Sequence, residues 1–216
     1  MDYSILIPVK NEPQKMVQDL INELRKVLKK ESCEIIVIDQ EQPTIKLEKC
    51  KVLQQKSKGL GKAVLEGVEE AQGKYIITMD ADHSHRPLDV YVLIQLSKLG
   101  HEIILGSKQL GKSNDGFMRK MLSDVSSKST LKILNLKGMT DPLTGLSCIK
   151  KKVYDELKLK PWGFKIITEI LRKTRNEYTP VEQPIIFEKR KGGKSKMNVS
   201  EFLRTGFFIL KLKFSK

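Results

Sequence analysis

The chain has 216 residues, of which 39% are hydrophobic and 31% charged, with a formal net charge of +14. That length suits one domain, or one domain with an appendage, and is enough for a sizeable core. The composition fits a soluble globular protein, and the charge implies attraction to something anionic: nucleic acid, an anionic membrane surface or a phosphorylated substrate.

Three scattered cysteines, Cys33, Cys50 and Cys148, argue against a disulfide framework or a zinc site and for a reducing compartment. The start Met1-Asp-Tyr-Ser-Ile-Leu-Ile-Pro has no basic leader, and no stretch approaches the roughly 18 apolar residues that span a bilayer. The expected location is the cytoplasm, with a peripheral position on the cytoplasmic face of a membrane open.

Tyr3 to Pro8 is a short apolar run ending in proline, the pattern of a buried strand. Pro13 suits the first position of a helix, and Met16, Val17, Leu20, Ile21, Leu24, Val27 and Leu28 keep helical spacing to about residue 30. Glu34-Ile-Ile-Val-Ile-Asp39 predicts a second strand ending in an acid, and a short strand follows around Val52-Leu53. Ser57-Lys-Gly-Leu-Gly-Lys62 opens a helix through Ala63, Val64, Gly67, Val68 and Ala71. Its glycines do not match a dinucleotide fingerprint, because the third falls at Gly67.

The run Lys74-Tyr-Ile-Ile-Thr-Met-Asp80-Ala-Asp82-His-Ser-His-Arg-Pro87 is the centre of the pattern. A strand ends abruptly in two carboxylates, and Pro87 starts a helix to about residue 98. Glu102 to Leu105 predicts another strand, and Gly106-Ser-Lys-Gln-Leu-Gly111 reads as a loop. Phe117, Met118, Met121, Leu122 and Val125 begin a helix reaching toward Leu136. Asp141-Pro-Leu-Thr-Gly145 is a tight turn before a strand from Leu146 to Ile149. Trp162-Gly-Phe with Ile166, Ile167, Ile170 and Leu171 reads as a helix entering the core, and Ile185 to Phe187 as a short strand. Glycine-punctuated Glu188-Lys-Arg-Lys-Gly-Gly-Lys-Ser-Lys196 is then a basic loop. Strands alternating with helices predict an α/β fold, a mainly parallel central sheet with helices on both faces.

Carboxylates just past a buried strand lie where open α/β sheets build their ligand crevice. Asp80 and Asp82 there suit a hard divalent cation, Mg²⁺ or Mn²⁺, that also touches a diphosphate. A helix cap or a turn aspartate is the plainer alternative. His83 and His85 flank the pair, and alternation keeps both rings out of one coordination shell. Asp39 at its strand end is suited to a ribose or base, or to a loop cap. Glu12 meets the same nucleoside or simply complements a helix dipole. Lys62 at a helix start is placed for a phosphate. Lys108, Arg119, Arg190 and Lys196 supply cations for a reaction that separates phosphate charge.

In their order and spacing these segments resemble the inverting glycosyltransferases of the GT-A fold, and among them the dolichyl-phosphate mannose or glucose synthases. The resemblance covers about residues 3 to 197 and rests on Ile7-Pro-Val-Lys-Asn-Glu12, Val37-Ile-Asp39, Gly59-Leu-Gly-Lys-Ala63, Asp80 to Pro87, Gly106-Ser-Lys108, Asp141 to Gly145, Glu169, and Phe187-Glu-Lys-Arg190 ending at Lys196. It implies a metal-dependent transfer of mannose or glucose from GDP-mannose or a UDP-sugar to a polyprenyl phosphate. Pro8, Glu12 and Asp39 then hold the nucleoside, with Lys62 and Lys108 near the diphosphate. Asp80, Asp82 and Ser84 bind the cation, while Asp82, Arg119, Arg190 and Lys196 serve the reaction itself. Asp141 is implied as an orienting residue. The chain departs from the family pattern at Lys10, at Gln40-Glu-Gln-Pro after Asp39, in a shortened segment before Val52, and at Lys108 in place of arginine.

Residues 1–197 are thus expected to form the catalytic domain and residues 198–216 a basic amphipathic helix. Val199, Phe202, Leu203, Gly206, Phe207, Leu210 and Phe214 keep helical spacing there, suited either to docking on the core or to a membrane surface or membrane-embedded partner. A sugar-hydroxyl acceptor and a non-catalytic nucleotide-sugar or lipid-binding partner are the competing readings. No nucleic-acid motif is present, so nucleic acid is not an expected partner.

Overall fold

The computed structural model describes residues 1–114, 116–160, 165–189 and 199–214. Arg190 and Lys196, and the segment around Trp162, lie outside the described residues.

Each short apolar run becomes a strand because its neighbours cover both of its faces. The order is β1 (Tyr3–Val9), α1 (Gln14–Val27), β2 (Cys33–Asp39), β3 (Lys51–Gln54), α2 (Leu60–Glu70), β4 (Tyr75–Thr78), α3 (Pro87–Lys98), β5 (Ile103–Ser113), α4 (Phe117–Leu134), β6 (Ser147–Lys150), α5 (Lys151–Glu156), α6 (Ile166–Thr174), β7 (Val181–Phe187) and α7 (Val199–Phe214). The seven strands form one sheet in the order β3-β2-β1-β4-β6-β5-β7. Among the described residues only β6 runs antiparallel to its neighbours, β4 and β5.

Two apolar layers cover the sheet. Ile5, Ile7, Ile35, Val37 and Ile77 pack with Val17, Leu20, Ile21 and Leu24 of α1 and Val90, Leu93 and Ile94 of α3. The alternate side chains Leu6, Ile36, Ile38 and Ile76 meet α2, α5, α6 and one side of α7 on the other face. This alternation is the period-2 geometry of strands, and burying each such Leu or Ile contributes about 2 kcal/mol.

Two expectations change. Pro13 is the residue before the first helical turn, and its carbonyl accepts the Val17 N–H at 3.2 Å. The segment Gly106 to Gly111 is strand, not loop, because β5 continues along the edge strand β7, with Lys112 opposite Ile186 and Ser113 opposite Phe187. A side chain at Gly111 would run into the Ile185 carbonyl, so this pairing depends on glycine there. Pro184 in β7 is tolerated because β7 is the outer strand.

Chain direction places the strand ends that carry Pro8, Asp39 and Asp80 on one rim. Val9 lies opposite Asp39, and Asp39 opposite Gln54. The β1–β4 ladder stops at Leu6 opposite Thr78, and Pro8 has no N–H to extend it. The two strands part there. Sheet winding reverses at the same place, since β2 and β3 lie to one side of β1 and β4 to the other, which makes it the crevice of the fold.

Candidate functional site

Asp80 and Asp82 follow β4 at this crevice. Asp82 is buried, with 6% of its surface exposed, and its Oδ1 accepts the Ser84 N–H at 3.0 Å. The Asp80 side chain is 37% exposed. The two carboxylates therefore differ: one is anchored by its own loop, the other is open to the crevice. His83 adopts φ +60° and sets its Nε2 3.0 Å from the Met16 carbonyl. His85 is buried, and its Nδ1 accepts the Asp80 N–H at 3.2 Å. Burial pushes the His85 pKa down, against the pull of Asp80 and Asp82. Both rings brace the loop from different sides.

The oxygen set around this loop fits a hard cation. Ser84 is fully buried, and its hydroxyl has no hydrogen-bond partner among the described residues. A buried orphan hydroxyl two residues from Asp82 is the kind of group that a bound ion satisfies. Among the described residues no three His, Cys, Asp or Glu side chains form a metal-binding group, so a cation here would draw remaining ligands from a bound molecule.

The turn before β6 closes one wall. A Cβ on Gly145 would lie 3.1 Å from Asp80 Oδ2 and 3.2 Å from His85 Cε1, so glycine leaves Asp80 its space. Asp141 is buried, and its Oδ2 accepts the Lys108 N–H at 3.3 Å. Burial raises the Asp141 pKa, and the Lys108 charge opposes that rise. The Lys108 ammonium stands 4.8 Å from the centre of the Phe187 ring. Phe187 in turn meets His85 edge-on at 5.4 Å, and the Glu188 N–H donates to the Ser84 carbonyl at 2.9 Å. Asp80, Asp82, Ser84 and Lys108 are thus brought together around β4, β5 and the end of β7.

The opposite wall is built by carboxylates that hold loops. Asp39 is fully buried, accepting the Glu41 N–H at 3.0 Å and the Ile45 N–H at 2.8 Å. In this arrangement both carboxylate oxygens are occupied in shaping residues 41–45. Gln18 bonds both backbone groups of Glu48, and Arg25 donates to the Lys49 and Cys33 carbonyls. Glu12 accepts the Lys10 N–H within the first loop. Glu66 binds the Lys56 and Ser57 N–H groups and the Ser57 hydroxyl. Burial alone would raise the Glu66 pKa, but these donors outweigh it and hold it below the usual carboxylate range. Pro8 is buried in β1, while Lys62 is exposed in the first turn of α2 and Arg119 in the first turn of α4.

Gly145 and Phe187 lie within motifs of the family resemblance, whereas no sequence pattern marks Glu182 as part of the site. Glu182 sits in a strand whose partner is remote in sequence. The local signals for that wall are the Asp141 turn, Gly106-Ser-Lys108 and the Phe187 motif.

Residues 4–158 match glycosyl transferase family 2. The chain is 32% identical to the dolichol-phosphate mannosyltransferase of Pyrococcus furiosus, an alignment covering 98% of this chain and 64% of that protein. It is 31% identical to the dolichol-phosphate mannosyltransferase of Saccharomyces cerevisiae over 68% of this chain and 58% of that one. The chain therefore spans just under two thirds of the first relative's length. Among solved structures, glucosyl-3-phosphoglycerate synthase of Mycobacterium tuberculosis, crystallised with Mn²⁺, UDP and glucosyl-3-phosphoglycerate, superposes with a TM-score of 0.76 at 14% identity, covering 98% of this chain and 78% of that one. At that identity the likeness concerns the fold alone, which is GT-A as the motifs implied. With a matching domain over most of its length and its acids on the rim of that fold, the chain belongs to glycosyl transferase family 2.

Proposed function

We propose that this protein transfers a hexose, mannose or glucose, from a nucleotide sugar to a polyprenyl phosphate. One observation carries the reading: Asp80 and Asp82 end a central strand at the crevice, beside a buried Ser84 hydroxyl without a partner among the described residues. Asp80, Asp82 and Ser84 would hold Mg²⁺ or Mn²⁺, which when bound offsets the charge of the donor's diphosphate.

The chain's own residues then position and stabilise. Loops 10–12 and 41–45, held by Glu12 and Asp39, form the nucleoside side. Lys108, backed by Phe187, lies near the diphosphate, and Lys62 stands at the same rim. A phosphate oxygen of the acceptor attacks the anomeric carbon while the bond to the nucleoside diphosphate breaks, inverting that centre. The acceptor is already an anion, so no strong base is needed, and orientation and electrostatics supply the rate. Arg119, Arg190 and Lys196 would meet the phosphates.

The lipid acceptor rests on the named relatives and on an inversion in α4. This helix turns Ser127, Thr130 and Leu134 inward, while Phe117, Met118, Met121, Leu122 and Val125 stand 39–80% exposed. α7 packs against α4 and buries Phe208, Ile209 and Leu212, leaving Phe207, Leu210 and Phe214 exposed beside Arg204, Lys211 and Lys213. Apolar side chains ringed by cations suit an anionic membrane surface. Among the described residues no helix is long and apolar enough to cross a membrane.

Incubation with labelled GDP-mannose or UDP-glucose, Mn²⁺ and polyprenyl phosphate should give a labelled glycolipid. Absence of product across the common sugar nucleotides would reject the proposal.

A further inference from the structure

The Lys108 segment is held in place from the outer edge of the sheet. Glu182 lies in β7, opposite Leu105 of β5. Its Oε1 accepts the Asp141 N–H at 2.7 Å, and its Oε2 accepts the Thr140 N–H at 2.6 Å. A carboxylate that takes two consecutive N–H groups fixes the orientation of the peptide as well as its position.

From that turn, further bonds lead back into β5. The Thr140 and Ser107 hydroxyls are 2.8 Å apart, the Ser107 oxygen accepts the Leu110 N–H at 3.2 Å, and Asp141 Oδ2 accepts the Lys108 N–H at 3.3 Å. This stretch of β5 is also where its register with β7 shifts, between Ser107 and Lys112. Ladder pairing is interrupted there, and the Asp141 turn holds the Lys108 N–H instead.

We infer that Glu182 is a positioning residue for sugar transfer, setting through the Thr140–Asp141 turn where the Lys108 ammonium stands relative to Asp80 and Asp82. This rests on the transferase reading above. Glu182 acts through the turn and Lys108, without itself meeting the substrate. Glutamine is nearly isosteric but offers one acceptor atom in place of two. Its NH₂ would face one of the two N–H groups, and the turn would have to tilt.

Steady-state kinetics on Glu182→Gln, Lys108→Ala and the double variant test the route. Glu182→Gln should lower kcat about tenfold, as a small misplacement of a charged group does, with donor KM within about twofold. The double variant should be no slower than Lys108→Ala alone, since both changes act through one cation. Losses that multiply would show that Glu182 only stabilises the fold, and an unchanged kcat would equally overturn the inference.

Ser107→Ala cuts a later link in the same chain and should give a smaller loss that Lys108→Ala also absorbs. Amide hydrogen exchange provides a readout without turnover. Glu182→Gln should speed exchange around residues 108, 140 and 141 and leave β1 and β2 unchanged. If the wild-type protein makes no glycolipid, the transferase reading fails and the role in transfer with it; exchange then tests the structural link alone, which unchanged protection at Lys108 overturns and faster exchange there supports.

Discussion

The two flanks of the crevice are built on opposite principles. On the β2–β3 side, beyond β1, acids and amides fix each loop: Asp39 holds 41–45, Gln18 and Arg25 strap 48 and 49 to α1, and Glu66 holds 56 and 57. On the far side, α4 presents a stripe of exposed apolar residues with few such ties. A rigid wall suits a small polar ligand whose shape does not vary. An apolar surface left in water suits a partner that is itself apolar.

The largest way to break this comparison lies between the flanks. Lys108→Ala removes the cation that stands over Phe187 and should lower transfer about 100-fold, the order of one preorganised electrostatic contact, with thermal stability little changed. A loss confined to KM would assign Lys108 to ground-state binding.

The exposed flank comes next. Phe117→Glu combined with Met121→Glu should reduce co-sedimentation with anionic vesicles by about tenfold or more. Both residues are in water, so Tm should stay constant because such surface changes are worth about 0.5 kcal/mol or less. Unchanged vesicle binding would remove α4 from the membrane reading.

The clamped flank responds in stability. Arg25→Ala gives up donors to the Lys49 and Cys33 carbonyls and should cost about 1 kcal/mol, or ~2–4 °C in Tm. It should also weaken nucleotide binding more than it affects vesicle binding, and the reverse pattern would contradict the division of labour.

The smallest effect concerns Asp141. Burial raises its folded pKa above that of the unfolded chain, so the folded state favours the protonated form. Stability is then lost as pH rises through the ordinary carboxylate range toward the folded pKa. Asp141→Asn carries no charge and should have a slightly higher Tm than wild type at pH 7, with the gap closing on acidification. A gap that widened in acid would contradict the sign.

Much of this architecture could be read from residue order. Apolar runs ending in Asp39 and in Asp80-Ala-Asp82 located the rim, because a parallel sheet gathers its strand ends on one side. What escaped was set by remote partners. The Gly106–Gly111 stretch looks like a loop because its glycines and polar residues carry no strand signal, yet pairing with β7 extends it. The helical spacing of Phe117, Met118 and Met121 announces an apolar face without saying which way it points. Glu182 is one acid in an edge strand, and only the fold sets its two oxygens beneath the Asp141 turn.

The central claim is that Asp80 and Asp82 hold the donor's diphosphate through a hard cation. Calorimetric titration of GDP and UDP into the wild-type protein and Asp82→Ala, each with Mn²⁺ and with a chelator, tests it directly. The account predicts that one of the two nucleotides binds the wild-type protein only with Mn²⁺, and that Asp82→Ala abolishes this binding while remaining folded. Binding of equal strength in the chelator, equal strength in Asp82→Ala, or no binding of either nucleotide would contradict it.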